Sequence, residues 1–71
     1  MITPAQCRAG RALLNLSQLA LADLASVGLS SVRDLETERR DVSVKLVKAI
    51  QAALEVGGVE FIEGGARLTA R

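Results

Sequence analysis

Along most of this chain apolar residues recur at the three- and four-residue spacing of helices, and caps and breakers divide them into four runs. In the first run Ala5, Ala9, Ala12, Leu13 and Leu16 form an apolar stripe punctuated by Arg8 and Arg11. Thr3 and Gln6 have the spacing of a capping box, and Pro4 falls at the first helical position, where its missing N–H does no harm. Gly10 inside this run costs on the order of 1 kcal/mol relative to Ala. Asn15 tolerates the left-handed conformation that ends a helix. Ser17 then caps a second helix, from Gln18 to about Ala25. Ser26-Val27-Gly28 is a short break before a third run, Leu29 to about Glu38, with Val32 and Leu35 on one face. Arg39-Arg40-Asp41 reads as a polar loop. Ser43 caps a fourth helix whose Leu46, Val47, Ile50 and Leu54 share a face, and Gly57-Gly58 stops it.

Beyond Gly58 the helical period gives way to strand, turn and strand: Val59-Glu60-Phe61-Ile62, Glu63-Gly64-Gly65 and Ala66-Arg67-Leu68-Thr69. A lone two-stranded hairpin is barely stable in water. This one must either fold back on helix four or pair with the same edge of a second copy. Val59 and Phe61 point to one side of the first strand, Glu60 and Ile62 to the other, and Leu68 is apolar on the return strand. Val59, Phe61, Ile62 and Leu68 are therefore the candidate dimerisation residues. The pattern divides the chain into residues 1–57, a helical domain, and 58–71, a hairpin extension.

Seventy-one residues make one small domain whose stability is marginal without help. Cys7 is the only cysteine and there is no histidine, so an intrachain disulfide is excluded and a second chain is the natural help. Cys7 reads as a small core residue, because no histidine exists to activate it. The chain has no Ser/His/Asp or Cys/His set, no glycine-rich phosphate loop and no metal-ligand cluster, which argues against an enzyme and implies no cofactor, metal or small-molecule ligand. Its apolar stretches are too short to span a bilayer and no basic start precedes them, so a cytoplasmic location is expected. The net charge is only +1. A nucleic-acid partner must therefore be argued from where the charges lie and not from their sum.

Two short helices joined by a tight glycine-containing turn fit the helix-turn-helix description. Leu16-Ser17-Gln18, Leu21-Ala22, Ala25, Val27, Ser30-Ser31-Val32, Leu35-Glu36 and Arg39-Arg40 resemble the XRE family of regulators, whose fold is that of the phage lambda repressor. The resemblance implies a mainly α, four-helix fold with the hairpin appended. It also implies a bacterial or phage transcription regulator, repressor or activator, that binds double-stranded DNA at a palindromic operator as a homodimer. Leu29, Ser30, Arg33 and Asp34 match the family's base-reading positions, and Gln18, Arg39 and Arg40 match its phosphate contacts. Arg11 and Glu36 match a pair that ties helix one to helix three in related repressors. Arg8, Lys45 and Lys48 read as solvated residues.

The chain departs from the family pattern in three ways. Ser26 and Gly28 stand where many relatives carry Gly and Ser, so glycine caps the recognition helix unless Ser30 does so later. Asp34, Glu36 and Glu38 outnumber Arg33 on that helix, and a carboxylate facing phosphates is repelled. Leu19, Ala20 and Leu24 replace residues that are often polar, which predicts an exposed apolar patch. The second and third departures support an alternative reading, a protein-interaction module, antiactivator or adaptor, that does not bind DNA.

Overall fold

Each helix begins where its first turn finds an acceptor. In the computed structural model, which describes residues 1–39 and 41–69, Thr3 Oγ1 accepts from the Gln6 N–H at 3.1 Å and Gln6 Oε1 accepts from the Thr3 N–H at 2.9 Å. That completes the capping box and starts α1 (Pro4–Leu13). Ser17 Oγ accepts from the Ala20 N–H at 3.0 Å to open α2 (Gln18–Ala25), and Ser43 Oγ from the Leu46 N–H at 3.3 Å to open α4 (Val44–Val56). Gly28 is the cap of α3 (Leu29–Thr37) and supplies no side-chain bond. Ser30 lies inside that helix, so the later start does not occur.

The helix ends are less relaxed. Asn15 (φ 57°), Ser26 (φ 56°) and Glu38 (φ 55°) close α1, α2 and α3 in the left-handed region. Asparagine tolerates that region, whereas the Cβ of Ser26 and of Glu38 is crowded there, at a cost of roughly 1–2 kcal/mol each.

Leu21, Val32, Ile50, Leu54 and Cys7 are fully buried, and Ile2, Ala22, Leu35, Val47 and Val59 complete the core. α1 is rotated relative to the expected apolar stripe. Ala5, Ala12 and Leu13 are exposed, and the inward face carries Cys7 and Gly10, with Arg11 and Leu14 half-buried. Gly10 is inward because a Cβ there would stand 3.2 Å from Leu54 Cδ1 and 3.3 Å from the Phe61 ring.

The hairpin pairs β1 (Val59–Ile62) with β2 (Gly65–Leu68), Val59 opposite Leu68 and Ile62 opposite Gly65. Glu63 and Gly64 form the turn, the latter at φ 74°, so Gly65 belongs to the strand and not to the turn. The hairpin packs on α1 and α4. Val59 is buried in the common core, Phe61 packs against it, and Gln6 Nε2 donates to the carbonyls of Ile62 at 2.7 Å and Gly65 at 3.1 Å. The core is thus continuous across residue 57. Two of the four expected dimerisation residues, Val59 and Phe61, are committed to the chain's own interior, because their side of β1 faces α1. Ile62 and Leu68 remain exposed. Among the described residues no helix is long and apolar enough to cross a membrane.

Replacing Ser26 by Gly removes the Cβ crowding at the end of α2 and is expected to raise stability by about 1 kcal/mol. Urea unfolding of Ser26→Gly checks this, and an unchanged midpoint would mean that the left-handed residue carries no strain.

Candidate nucleic-acid interface

α3 divides its residues sharply between inside and outside. Val32, Asp34, Leu35 and Glu36 are buried, while Ser30, Arg33 and Thr37 form an exposed stripe at i, i+3 and i+7. Apolar packing fixes the inward face through Val32 and Leu35, and the helical period then turns Arg33 outward. Arg33 lies between two shallow clefts, one shared with Ser30, Asp34 and Arg39 and the other with Thr37 and Arg39. Arg39, exposed after the end of α3, therefore stands on the same face. Thr37 Oγ1 donates to the Arg33 carbonyl at 2.7 Å. Thr37 was not legible as a surface residue of this face, since its type carries no signal and only the phase of the helix places it there.

Beneath that face a single carboxylate joins three helices. Glu36 accepts from Arg11 Nε at 2.9 Å on Oε2 and from Arg11 Nη2 at 2.9 Å on Oε1, a bidentate pair. Oε1 also accepts from Gln18 Nε2 at 3.0 Å, and Oε2 from the Cys7 thiol at 3.3 Å. Arg11 Nη1 reaches the Leu16 carbonyl at 3.1 Å, and Arg8 Nη1 donates to the backbone carbonyl of Glu36. The side chain of Glu36 is 2% exposed and that of Arg11 24%. Burial pushes the Glu36 carboxyl toward the neutral form, but the hydrogen bonds from Arg11, Gln18 and Cys7 and the charge of Arg11 outweigh it, so its pKa falls below the ordinary value. The hydrogen bond to Glu36 raises Arg11 in turn, against the opposing effect of burial. Burial, then the hydrogen bond and charge of Glu36, push the Cys7 thiol up to about 12.

The expected site residues therefore part company. Ser30, Arg33 and Arg39 come together on one exposed face, and Leu29 at the start of α3 is half-buried. Asp34 is only 8% exposed, so its side chain is not offered to a base edge as Ser30 and Arg33 are. Asp34 lies one turn from exposed Ser30, so helical phase alone does not bury it; Ile2 and Pro4 line the cleft it shares with Leu35. The Gln18 carboxamide nitrogen is turned inward to Glu36 and the Ala20 N–H to Ser17, which leaves the Gln18 and Leu19 peptide N–H groups at the start of α2 as donors toward an anion. Arg11 and Glu36 form the expected tie between α1 and α3. Arg8 is more than a solvated residue, since it holds the Glu36 carbonyl, while Lys45 and Lys48 are exposed on α4. Arg40 lies outside the described residues.

The family model for Helix-turn-helix matches residues 8–61, from within α1 to β1. This chain belongs to the helix-turn-helix family. It is an XRE-like member, and the family is one of DNA-binding regulatory domains. None of the curated proteins compared with the chain matches it. In this helix-turn-helix domain α2 and α3 are the two helices of the motif, and the turn between them is Ser26-Val27-Gly28.

Arg11→Ala strands a buried carboxylate and is expected to cost about 3–5 kcal/mol. Glu36→Ala costs less, because Arg11 is partly exposed and its guanidinium can turn to water. Urea unfolding of the two variants checks the order, and equal losses would contradict it. The two shifted groups also set the pH dependence. Since Glu36 is depressed in the native state, its contribution is complete above the ordinary carboxyl value of 4.5 and is lost as pH falls through the lower native value. Cys7 has the opposite sign: the unfolded thiol ionises near 9.0 and the native one near 12, so stability declines as pH rises across that window. Unfolding midpoints measured against pH should lose the acid-side slope in Glu36→Gln and part of the alkaline slope in Cys7→Ala.

Proposed function

We propose that this chain is a sequence-specific transcriptional regulator that occupies a palindromic operator as a homodimer, with α3 in the major groove. The observation that carries this reading is the charge of the exposed face of α3. Of the carboxylates on α3 and its cap, Glu36 is buried under Arg11 and Asp34 is only 8% exposed, which leaves Glu38 as the exposed one between residues 29 and 39. The composition of the helix is acidic, but the face it offers to phosphates is not.

In this reading Arg33 makes a bidentate contact with guanine, Ser30 hydrogen-bonds a neighbouring base edge, and Leu29 touches a thymine methyl. Arg39 and the N-terminal peptide groups of α2 bind phosphate and fix the orientation of the domain. A two-fold dimer places two such faces about one helical turn apart. Occupancy of the operator then blocks or recruits polymerase. The interaction-module reading draws its support from Leu19 and Leu24 on α2, exposed at 56% and 62%. It predicts a domain that binds a protein and has no affinity for DNA.

A fluorescence titration against the DNA upstream of its own coding sequence, repeated across salt concentrations, separates the two readings. Arg33→Ala is expected to weaken operator binding by about 1–3 kcal/mol and to leave random DNA unaffected, whereas Arg39→Ala weakens both alike and lowers the salt slope by about one. Equal effects of the two substitutions on operator and random DNA would remove the assignment of roles, and absence of binding at low salt would favour the interaction module.

A further inference from the structure

α2 and α4 leave an apolar groove open between them. Leu24 and Ala25 line one side, and Ala49, Ala52, Ala53 and Val56 the other. Leu24 is 62% exposed and Val56 89%, which is unfavourable for residues of their size in water. The groove shares no residue with the face formed by Ser30, Arg33, Thr37 and Arg39.

On α4 the exposed positions Lys45, Ala52 and Val56 and half-buried Ala49 are spaced by four, three and four residues, which lines them up as one seam for a partner helix. The charges around the seam are ordered. Lys45 and Lys48 are exposed at its N-terminal end, and Asp23 and Glu55 are exposed beside Leu24 and Val56 at the other. A surface that runs basic, then apolar, then acidic along α4, with Asp23 of α2 adding to its acidic end, is complementary to itself when reversed, as a two-fold contact requires.

We propose that the groove binds a second copy of this chain, with α4 of each copy crossing the other antiparallel between Ala49 and Ala52. Ala49 then lies on Ala52 of the second copy, and the small side chains let the two helices approach closely. Val56 packs on the aliphatic stem of Lys45, whose ammonium reaches Glu55 and Asp23 across the axis. Leu24 fills the remaining width of the groove from α2. Antiparallel helix dipoles favour the same arrangement. The hairpin is the weaker candidate for this contact, because Val59 and Phe61 face its own α1. The inference rests on the dimeric part of the function proposed above and not on DNA binding.

Sedimentation equilibrium of the full chain without DNA, from micromolar to millimolar concentration, tests it. A reversible dimer is expected. Ala52→Glu and Val56→Asp, both at exposed positions, should each raise the dissociation constant by about thirtyfold or more, as expected when a central contact is lost. Their circular dichroism should remain that of the wild type. Lys45→Glu should weaken the dimer as well, and Glu55→Lys added to it should restore association. A wild-type chain that is monomeric throughout would overturn the proposal, as would a dimer that persists unchanged in Ala52→Glu and Val56→Asp. A dimer that responds as described yet has no affinity for operator DNA would sustain this contact and refute the regulator.

Discussion

The carboxylate of Glu36 is the constraint on which the arrangement of α1, α2 and α3 depends. An ionised group almost wholly removed from water is tolerated only when donors meet it from several directions. Arg11 and Cys7 come from α1 and Gln18 from α2, and Arg8 takes the carbonyl of the same residue. Apolar packing of Val32 and Leu35 fixes which face of α3 is inward but leaves small shifts along its neighbours open. The bidentate guanidinium does not, because its geometry accepts one approach of the carboxylate plane. The pitch of α3 over α1 is therefore set by hydrogen bonds, and the apolar core fills the space around them.

This has a direct bearing on the outer face. The inward turn of Glu36 and the outward turn of Arg33 are two statements of the same helical phase. A helix whose side chains sum to a negative charge thus presents a cationic stripe. Net charge, the quantity that composition supplies, is a poor guide to this surface, and the phase of burial is the better one.

Much of the fold could be read from the chain because the signals were local. Thr3, Ser17 and Ser43 cap the helices they were expected to cap, and Val32, Leu35, Val47, Ile50 and Leu54 face inward as their spacing requires. The inner face of α1 could not be read in the same way. It is made of a glycine, a thiol and an arginine, and each is inside for a reason that lies far along the chain: the Phe61 ring for Gly10, and Glu36 for Cys7 and Arg11. The fate of the hairpin depended on the same missing knowledge, since its anchor is the Gln6 carboxamide. Of the expected DNA-contact residues, Ser30, Arg33 and Arg39 share one exposed face. Asp34 has an equally suitable type and lies one turn from Ser30, yet it is buried beside the cleft that Ile2 and Pro4 line.

The bond from Gln6 to the carbonyl of Gly65 joins residues 59 positions apart. The same glutamine closes the capping box of α1, so α1 completes its structure against β2. Closing so long a loop must precede its reward, which slows folding relative to a bundle of purely sequential contacts. During synthesis the helices of the recognition motif emerge well before the strand that covers α1. The domain consequently reaches its finished form only once β2 has been made and can pair with β1 over α1.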